Sequence, residues 1–436
     1  MIPLVSAQIM RECDARAVQR WGQGALVRAA GVSVAREAHR LLGSLYARRV
    51  AVVVGPGLNG ADGRVAAQTL IARGCRVDVV EVARQPLELR GYDLVIDAAF
   101  GLGCSRPYVA PAIAGSTSVL AVDLPSGVDA DTGDLLGRPL RADVTLALGA
   151  LKVAHLDGEA ARYCGELRFA SLGIETPSDD GLVTDDDLTC FVRGDFDDHK
   201  WAHAVTILAG SPLMGGAAVL SCAGALSAGA SMIQLETRGE SLDPSGLAPE
   251  VVRTSDSGVD ARSRCVVAGP GLGPDAPSWL RDRLDDTSVA TVLDADALTP
   301  ATVSLGRRAP RVLTPHAGEF TRIGGAAVGA RRLVATRDLA RATECVVLLK
   351  GPTTIVADPD GRVRIVNVGT PALATAGSGD VLAGMIGAAI ARGHEPFLAA
   401  ALSAHLHALA GRTLRPYESA GAIPSAVTAV LSALRT

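Results

Sequence analysis

Residues 376–380, AGSGD, combine two features that a phosphoryl-transfer site needs. Gly377 and Gly379 precede the long apolar stretch VLAGMIGAAIARG, which predicts a helix beginning near Asp380. Backbone N–H groups at the start of such a helix, together with its positive end, bind phosphate. Asp380 would lie beside that phosphate, where its carboxylate could take a proton from an incoming hydroxyl group. The stretch therefore predicts a phosphate site with a proton acceptor next to it.

A second glycine-rich stretch, GPGLNGADG (55–63), lies between the apolar run RVAVVVG and the helical stretch RVAAQTLIARG. Glycines at 55, 57, 60 and 63 would let the backbone approach a ligand closely. Glycine turns at strand ends are more often structural, and a dinucleotide-binding loop also requires an acidic residue about 20 residues later. Asp78 and Glu81 fall inside or at the end of a strand, so they fit that requirement poorly. Ligand binding and a structural turn both stay open for this stretch alone.

Other residues that could do chemistry each have a structural alternative. Asp123 and Ser126 lie in VDLPSGVDADTG, where they could bind a ligand or cap the turn that follows a strand. Lys152 and Lys350 could reach a ligand or be solvated surface lysines. His316, in TPHAGEF, could contact a ligand or cap a turn.

The elements that must position these residues alternate along the chain. Short β-branched runs such as VAVVVG, LVIDAAFG, VLAVDLPSG, AVTILAG and VVLLKG are separated by alanine-rich helical stretches. This alternation predicts an α/β protein with parallel sheets covered by helices. A Thr-, Pro-, Ser-, Gly- and Asp-rich stretch near residue 178 predicts a boundary between a domain at 1–178 and a domain at 185–436. Each half has its own glycine turns at strand ends, so we expect two separate sites.

Composition narrows the class of protein. A length of 436 residues favours two or three domains, and a formal net charge of -4 gives no reason to expect nucleic acid or an anionic membrane as a partner. Eight cysteines without a C-x-x-C pair predict neither a disulfide scaffold nor a zinc site. No signal peptide is evident at the N-terminus, and the longest apolar stretches are too short or too interrupted to span a membrane. His405 and His407 interrupt one of them, and we interpret both as structural. We expect a cytoplasmic protein that forms a homo-oligomer.

Several stretches of the first half together resemble the NAD(P)HX epimerase family. They are MRECD (10–14), the glycine stretch, DAAFGLGCSRP (97–107), VDLPSGVDADTG (122–133) and LGALKVAHLDG (148–158). The family's glycine loop reads G-x-G-N-N-G-G-D-G, and this chain matches it at Gly55, Gly57, Asn59, Gly60, Asp62 and Gly63. The resemblance implies a Rossmann-like three-layer sandwich that binds hydrated NADH or NADPH, written NADHX and NADPHX.

The resemblance also implies roles for individual residues. Asn59, Asp97 and Ser126 match positions that hold a potassium ion. Asp123 matches a residue that contacts the reactive ring and, with Lys152, would move protons during epimerisation. The substrate-binding positions implied by the family are Leu58, Asn59, Gly60, Ala61, Asp62, Gly101, Leu102, Gly103, Cys104, Ser105, Arg106, Pro107 and Asp123.

Two residues of the glycine loop depart from the family pattern. Leu58 replaces an asparagine and has no amide to hydrogen-bond the substrate. Ala61 replaces a glycine, which would matter if that position required a positive φ. We expect these changes to affect substrate affinity in the first half.

The second half resembles the ADP-dependent NAD(P)H-hydrate dehydratases, which have a ribokinase-like α/β sandwich fold. The resemblance rests on AGSPLMGGAAVLSCAGALSAGAS, GPGLG (269–273), LDADAL, LTPHAGEF (313–320), KGPTT (350–354) and AGSGD. It implies substrate contacts at Ala217, Gly271, His316 and Asp380. It also implies that ADP binds at Lys350, Gly351, Pro352, Thr353, Thr354 and Gly379, with Mg²⁺ as a further cofactor.

The implied activity is the repair of hydrated nicotinamide dinucleotides. The first half would interconvert the R and S epimers, and the second would dehydrate the S form while ADP becomes AMP and phosphate. Bacterial members generally use ADP. Two alternatives stay open. One is a ribokinase-like small-molecule kinase fused to a nucleotide-binding domain, which would share the AGSGD site. The other is a nucleotide sensor without catalysis, which would not need both Asp123 and Asp380.

Overall fold

The computed structural model describes residues 1–192, 199–239, 246–255, 258–285, 287–305 and 309–434. The chain folds as two compact units, one spanning Ile2–Gly181 and the other beginning at Leu182 and including Met1. The predicted domain limits, residues 178 and 185, lie on either side of this division. Both units have the predicted α/β architecture, which is described for each unit separately.

The first unit contains six parallel strands in the order β6, β5, β4, β3, β1, β2. These strands are β1 (Arg49–Val54), β2 (Arg76–Glu81), β3 (Leu94–Ala98), β4 (Ser118–Val122), β5 (Val144–Leu148) and β6 (Glu166–Ala170). Its helices are α1 (Ala7–Trp21), α2 (Gln23–Leu42) and α3 (Leu58–Ala72), with 3-10 turns at Val82–Arg84, Val153–His155 and Ala160–Tyr163. Two-residue strands lie at Ile2–Pro3, Glu88–Leu89, Tyr108–Val109, Ala112–Ile113 and Gly137–Arg138.

Strand β1 shows why this sheet is covered on both faces. Val50, Val52 and Val54 pack in one cluster with alanines and leucines of α2 and α3, while Ala51 and Val53 pack in a second cluster. Alternate residues of a strand point to opposite faces, so both faces of β1 are buried. The strand order reverses between β1 and β3, and open parallel sheets bind ligands outside the carboxyl ends of strands at such a point.

In the described residues of the second unit, nine strands follow one another in the order β15, β14, β13, β12, β11, β10, β7, β8, β9. Strands β7 to β13 are parallel, while β14 and β15 are antiparallel to their neighbours. The strands are β7 (Ala204–Leu208), β8 (Met232–Glu236), β9 (Val251–Thr254), β10 (Cys265–Ala268), β11 (Ala290–Leu293), β12 (Arg311–Leu313), β13 (Val346–Leu349), β14 (Thr354–Ala357) and β15 (Val363–Val366). A further short strand, Gly181–Leu182, lies at the division between the units in the sequence.

Helices of the second unit pack closely enough to fix the position of the AGSGD segment. A Cβ atom on Gly384 would lie 2.0 Å from Ser221 O, and one on Gly224 would lie 2.2 Å from Val381 O. Two helices therefore contact each other backbone to backbone at these glycines. The helices are α4 (Leu188–Val192), α5 (Gly215–Ser227), α6 (Ala276–Leu284), α7 (Pro300–Val303), α8 (Ala317–Arg322), α9 (Arg332–Thr343), α10 (Ser378–Ala391), α11 (Pro396–Thr413) and α12 (Ile423–Leu434), with 3-10 turns at Asp185–Asp187, Ala295–Ala297, Pro371–Leu373 and Ala420–Ala422.

The long apolar stretches of the sequence form the predicted buried helices. Most residues of α10 and α11 are buried, including His405 and His407, and both helices contribute to the main core of the second unit. Within the described part of the chain, no helix has both the length and the apolar character needed to cross a membrane.

Candidate active sites

A cavity of about 430 Å³ lies at the point where the strand order of the first unit reverses. Its wall includes the residues that follow β1 and those that follow β3. The predicted site residues that line it are Leu58, Asn59, Asp62, Gly101, Leu102, Gly103, Cys104, Asp123 and Lys152. The structure does not bring the other predicted binding residues, Gly60, Ala61, Ser105, Arg106 and Pro107, into this lining.

Asp123 and Lys152 form a buried ion pair in the wall of this cavity. Lys152 Nζ lies 2.6 Å from Asp123 Oδ1 and donates a second hydrogen bond to Leu148 O at 3.0 Å. The side chain of Lys152 is 1% exposed, so the alternative of a solvated surface lysine is wrong. Asp123 Oδ1 also accepts a hydrogen bond from Leu148 N, on a neighbouring strand, rather than capping its own turn. The carboxylate can accept a proton from a ligand in the cavity, and the adjacent ammonium group can donate one to it.

Two further carboxyl groups, Asp14 and Asp62, face the same cavity. Burial raises the pKa of Asp62 to about 8, with the charges of Asp123 and Asp14 adding to the effect. Burial also raises the pKa of Asp14 to about 6, against the opposing charge of Lys152. Near neutral pH, Asp62 is therefore mainly protonated and can donate a hydrogen bond, whereas Asp14 is mainly ionised.

No role was predicted for Asp14, although it lies in the stretch MRECD that carries part of the family resemblance. Met10, Asp14 and Val18 lie four residues apart on α1, and all three line the cavity. Residues four apart share one face of a helix. A carboxylate on that otherwise apolar face was the signal that could have identified Asp14.

Two of the proposed potassium ligands, Asp97 and Ser126, contact each other, and the third, Asn59, lines the cavity. Ser126 donates hydrogen bonds to Asp97 from Oγ at 2.5 Å and from its backbone N–H at 2.8 Å. Asp97 is completely buried, and this burial raises its pKa despite the hydrogen bonds from Ser126 and Ala99. Asn59 packs against Gly101, and its Nδ2 atom is buried with no hydrogen-bond partner in the described structure. The carboxylate of Asp97, the hydroxyl group of Ser126 and the carbonyl oxygen of the Asn59 amide are oxygen ligands of low total charge, a set that suits a potassium ion.

The glycine stretch begins helix α3 earlier than the sequence predicted. The helix starts at Leu58 and is capped at Gly57, whereas the prediction placed its start at Arg64. Ala61 therefore has ordinary helical geometry, and its N–H donates to Gly57 O at 3.1 Å. The concern that position 61 requires a positive φ was wrong. Leu58 is about half exposed at the cavity, where it presents apolar surface in place of an amide.

The second site lies at the N-terminus of α10. The helix begins at Ser378, two residues before the predicted start, and is capped by Gly377 with a φ of +90°. That φ lies in the left-handed region, which glycine adopts without a steric penalty. Asp380 is in the first turn, and its backbone oxygen accepts a hydrogen bond from Ser221 Oγ.

Lys350 and Gly379, both predicted to bind the nucleotide, lie next to each other. A Cβ atom on Gly379 would lie 3.1 Å from Lys350 Nζ, so a side chain here would crowd the ammonium group. Lys350 follows β13 and forms an ion pair with Asp294, which follows β11, at 2.5 Å. Thr314 donates a hydrogen bond to the same Asp294 oxygen at 2.7 Å. The carboxyl ends of β11, β12 and β13 thus hold the ammonium group of Lys350 next to the first turn of α10.

Burial raises the pKa of Asp380 to about 7. The charge of Asp294 is the next largest cause, and Asp296 and Glu319 act in the same direction, while Lys350 lowers the pKa. A carboxyl group that titrates near neutral pH is well matched to a general base. No role was predicted for Asp294 in the stretch LDADAL, although its position directly after a parallel strand was an available signal.

The remaining predicted residues of the second unit lie at strand ends, apart from Ala217, which is in the first turn of α5. Gly271, with a φ of +63°, packs so closely that a Cβ atom there would lie 2.8 Å from Ala217 Cβ. His316 caps α8, and its Nδ1 accepts hydrogen bonds from Gly318 N and Glu319 N. Capping was the structural alternative for His316, whose side chain is still 62% exposed. Gly351, Pro352, Thr353 and Thr354 connect β13 to β14 and include the first residue of β14.

Comparison with known proteins identifies the family. Residues 205–431 match the NAD(P)H-hydrate dehydratase family, and residues 23–90 and 81–154 match the family described as YjeF-related protein N-terminus. The chain is 37% identical to the bifunctional NAD(P)H-hydrate repair enzyme Nnr of Mycobacterium tuberculosis, with 89% of each chain covered. It is 35% identical to the enzyme of the same name from Mycobacterium leprae, over 99% of this chain and 98% of that relative. The chain belongs to the family of bifunctional NAD(P)H-hydrate repair enzymes.

A solved structure supports the fold of the second unit of this repair enzyme. The ADP/ATP-dependent NAD(P)H-hydrate dehydratase from Bacillus subtilis, co-crystallised with ATP and Mg²⁺, is 28% identical to this chain. It matches with a TM-score of 0.50 and covers 56% of this chain and 94% of the Bacillus protein. The ribokinase-like fold and the repair of hydrated NADH and NADPH, both expected from the sequence motifs, are confirmed for this family member.

Proposed function

We propose that the first unit of this chain epimerises R- and S-NAD(P)HX and that the second unit dehydrates the S epimer with ADP as cosubstrate. The observation that carries this proposal is that each unit has its own proton-transfer group, buried in the first unit and partly buried in the second. Asp123 is paired with Lys152 at the cavity of the first unit, and Asp380 titrates near neutral pH beside the N-terminus of α10. A sensor would need the phosphate sites without these groups.

In the dehydration step, Asp380 takes the proton from the hydroxyl group at C6 of the hydrated ring. The C6 oxygen attacks the terminal phosphorus of ADP, and the phosphorus–oxygen bond to AMP breaks. The product is a phosphate ester at C6, which leaves as phosphate when the ring nitrogen donates its electron pair. Loss of a proton from C5 then restores NADH or NADPH. Lys350 and the N–H groups of Gly379 and Asp380, at the start of α10, would stabilise the charge that develops on the transferred phosphoryl group.

In the epimerisation step, Asp123 and Lys152 move protons at the hydrated ring. A carbon that bears both a hydroxyl group and the ring nitrogen loses its configuration when the ring opens or when the hydroxyl group leaves. Both routes require a proton to be removed from one position and returned to another, and a carboxylate 2.6 Å from an ammonium can do both. Asp62, which is mainly protonated at neutral pH, would donate a hydrogen bond to the substrate.

The residues present fit the two proposed metal ions. Asp97, Ser126 and Asn59 would hold potassium, which would supply positive charge next to the completely buried Asp97. In the second unit, the charges of Asp294, Asp296 and Glu319 raise the pKa of Asp380, and the charge of Lys350 opposes them. Mg²⁺ characteristically binds through one or two carboxylates together with nucleotide phosphates. Asp294 and Asp296 would therefore be available to a Mg²⁺ ion that binds with ADP.

The test is to incubate the purified chain with mixed R- and S-NADHX, potassium and Mg²⁺, adding either ADP or ATP, and to follow the recovery of NADH absorbance. We expect nearly complete recovery from both epimers and a faster rate with ADP than with ATP. Equal or faster turnover with ATP would overturn the ADP assignment. Accumulation of a stable phosphorylated product instead of NADH would favour a small-molecule kinase, and nucleotide binding without turnover would favour a sensor.

A further inference from the structure

His155 is completely buried behind the Asp123–Lys152 pair and contacts the backbone of both residues. It is the last residue of the 3-10 turn Val153–His155, which directly follows Lys152. His155 Nδ1 lies 2.9 Å from Lys152 N, and His155 Nε2 lies 2.6 Å from Asp123 O. Because the first partner is a donor and the second an acceptor, one neutral tautomer with its proton on Nε2 satisfies both contacts.

The neutral form of His155 is also the form that its surroundings favour. Burial lowers the pKa of His155 to about 4, and the charge of Lys152 adds to this effect against the opposing influence of Asp123. The imidazole therefore stays neutral through the physiological range. Its position suits it to holding two backbone groups rather than to exchanging protons with a ligand.

Asp123 needs such support because its backbone is strained. Its φ of +64° lies in the left-handed region, which residues other than glycine adopt at a steric cost. Its N–H donates to Leu146 O at 2.9 Å, and its carbonyl oxygen is the atom that His155 contacts. Strained residues persist only where neighbouring groups fix their conformation. The contact with His155 is therefore one of two hydrogen bonds that hold the backbone of Asp123 in this conformation.

We propose that His155 is a positioning residue of the epimerase site: its two ring nitrogens tie the backbone of Asp123 to that of Lys152 and so maintain the pair that faces the cavity. The two residues are 29 positions apart in the sequence and lie on different segments. Without this bridge, the carboxylate of Asp123 and the ammonium group of Lys152 would both still be present, but the distance between them would no longer be fixed. This inference rests on the proposed epimerase function.

The test compares three variants of the full chain. His155→Leu removes both hydrogen bonds, and His155→Gln restores a donor toward Asp123 O. Thr145→Val is the matched control, because it removes another buried hydrogen bond of the same unit, from Thr145 Oγ1 to Cys164 O at 2.7 Å, without contacting the pair. R-to-S conversion is measured at saturating substrate and at low substrate after subtraction of the spontaneous rate, and thermal melts report stability.

We expect His155→Leu to lower kcat for epimerisation about 10- to 100-fold, the loss that a displacement of reacting groups by about 1 Å can cause. KM should change less than threefold, S-NADHX dehydration by the same chain should be unchanged, and His155→Gln should recover most of the rate. Thr145→Val should lower the melting temperature without lowering kcat. The nitrogen chemical shifts of His155 should also show a proton on Nε2 alone.

Different outcomes separate the inference from the function beneath it. If the unaltered chain does not accelerate epimerisation, the proposed function is wrong and this role falls with it. If the unaltered chain does epimerise and His155→Leu matches its kcat, only the positioning role is overturned. The same conclusion follows if Thr145→Val loses as much kcat as His155→Leu, because general loosening of the unit would then account for both.

Discussion

The pH dependence of dehydration gives a direct test of Asp380 as the general base. The pKa of Asp380 is raised to about 7, and a base acts only in its ionised form, so kcat/KM for S-NADHX should rise with pH through this value. The ionised fraction is about one-tenth at pH 6 and about nine-tenths at pH 8 for a pKa of about 7. The rate should therefore rise about tenfold over this range.

Two substitutions near Asp380 should move this pH dependence in opposite directions. Asp294→Asn removes the largest charge that raises the pKa of Asp380, so the rise in rate should move to lower pH. Lys350→Met removes the cation that lowers this pKa, so the rise should move to higher pH. Asp380→Asn should lower the rate by about 10² to 10⁴ and abolish the pH dependence between pH 6 and 8.

The assay follows NADH recovery from pure S-NADHX at limiting substrate and saturating ADP, with the uncatalysed rate subtracted at each pH. Asp338→Asn on helix α9 is a matched control, because it removes an exposed carboxylate of the same unit and should leave the profile unchanged. Thermal melts are required for Asp294→Asn, since breaking its buried ion pair with Lys350 also reduces stability. The reasoning would be refuted if Asp380→Asn kept the original rise in rate, or if Asp294→Asn and Lys350→Met moved it in the same direction.

Three further predictions concern the first unit. Asp123→Asn should slow R-to-S conversion towards its spontaneous rate and leave the dehydration of pure S-NADHX intact, as measured by separate assays of the two epimers; an equal loss of both activities would contradict two independent sites. Replacing potassium with lithium should slow epimerisation several-fold without changing S-NADHX dehydration, and an identical epimerisation rate in both salts would remove the site proposed at Asn59, Asp97 and Ser126. Asp62→Asn should raise the free energy of unfolding relative to the unaltered chain, and this difference should grow from pH 4 to pH 8 to on the order of a few kcal/mol. The reason is that Asp62 ionises in the unfolded chain near pH 4 but in the folded chain only near pH 8, so rising pH favours the unfolded form of the unaltered chain. Melting curves across this pH range test that difference, and a constant difference would show that Asp62 ionises normally in the folded chain.

Local sequence patterns determined much of the fold and part of each site. Runs of β-branched residues predicted the parallel strands, because a strand covered on both faces must be apolar at successive positions. Gly377 and Gly379 before an apolar stretch predicted the N-terminus of α10 and the place of Asp380. These features depend on neighbours within a few residues, so they can be read from a short stretch of chain.

Only the tertiary structure decided which side chains become buried and meet. Lysine side chains usually lie at the surface, so the sequence alone favours an exposed Lys152. In the folded chain its side chain is only 1% exposed and pairs with Asp123, 29 positions away, to form the proposed proton-transfer pair. Asp14 reaches the cavity from α1, and Asp294 reaches Lys350 from another strand end. The pKa of each buried carboxyl group depends on how far distant segments exclude solvent from it and on which charges they bring near it. Those segments acquire their positions only when the sheets form, and for this reason the local sequence could name candidate residues but not their charge states or partners.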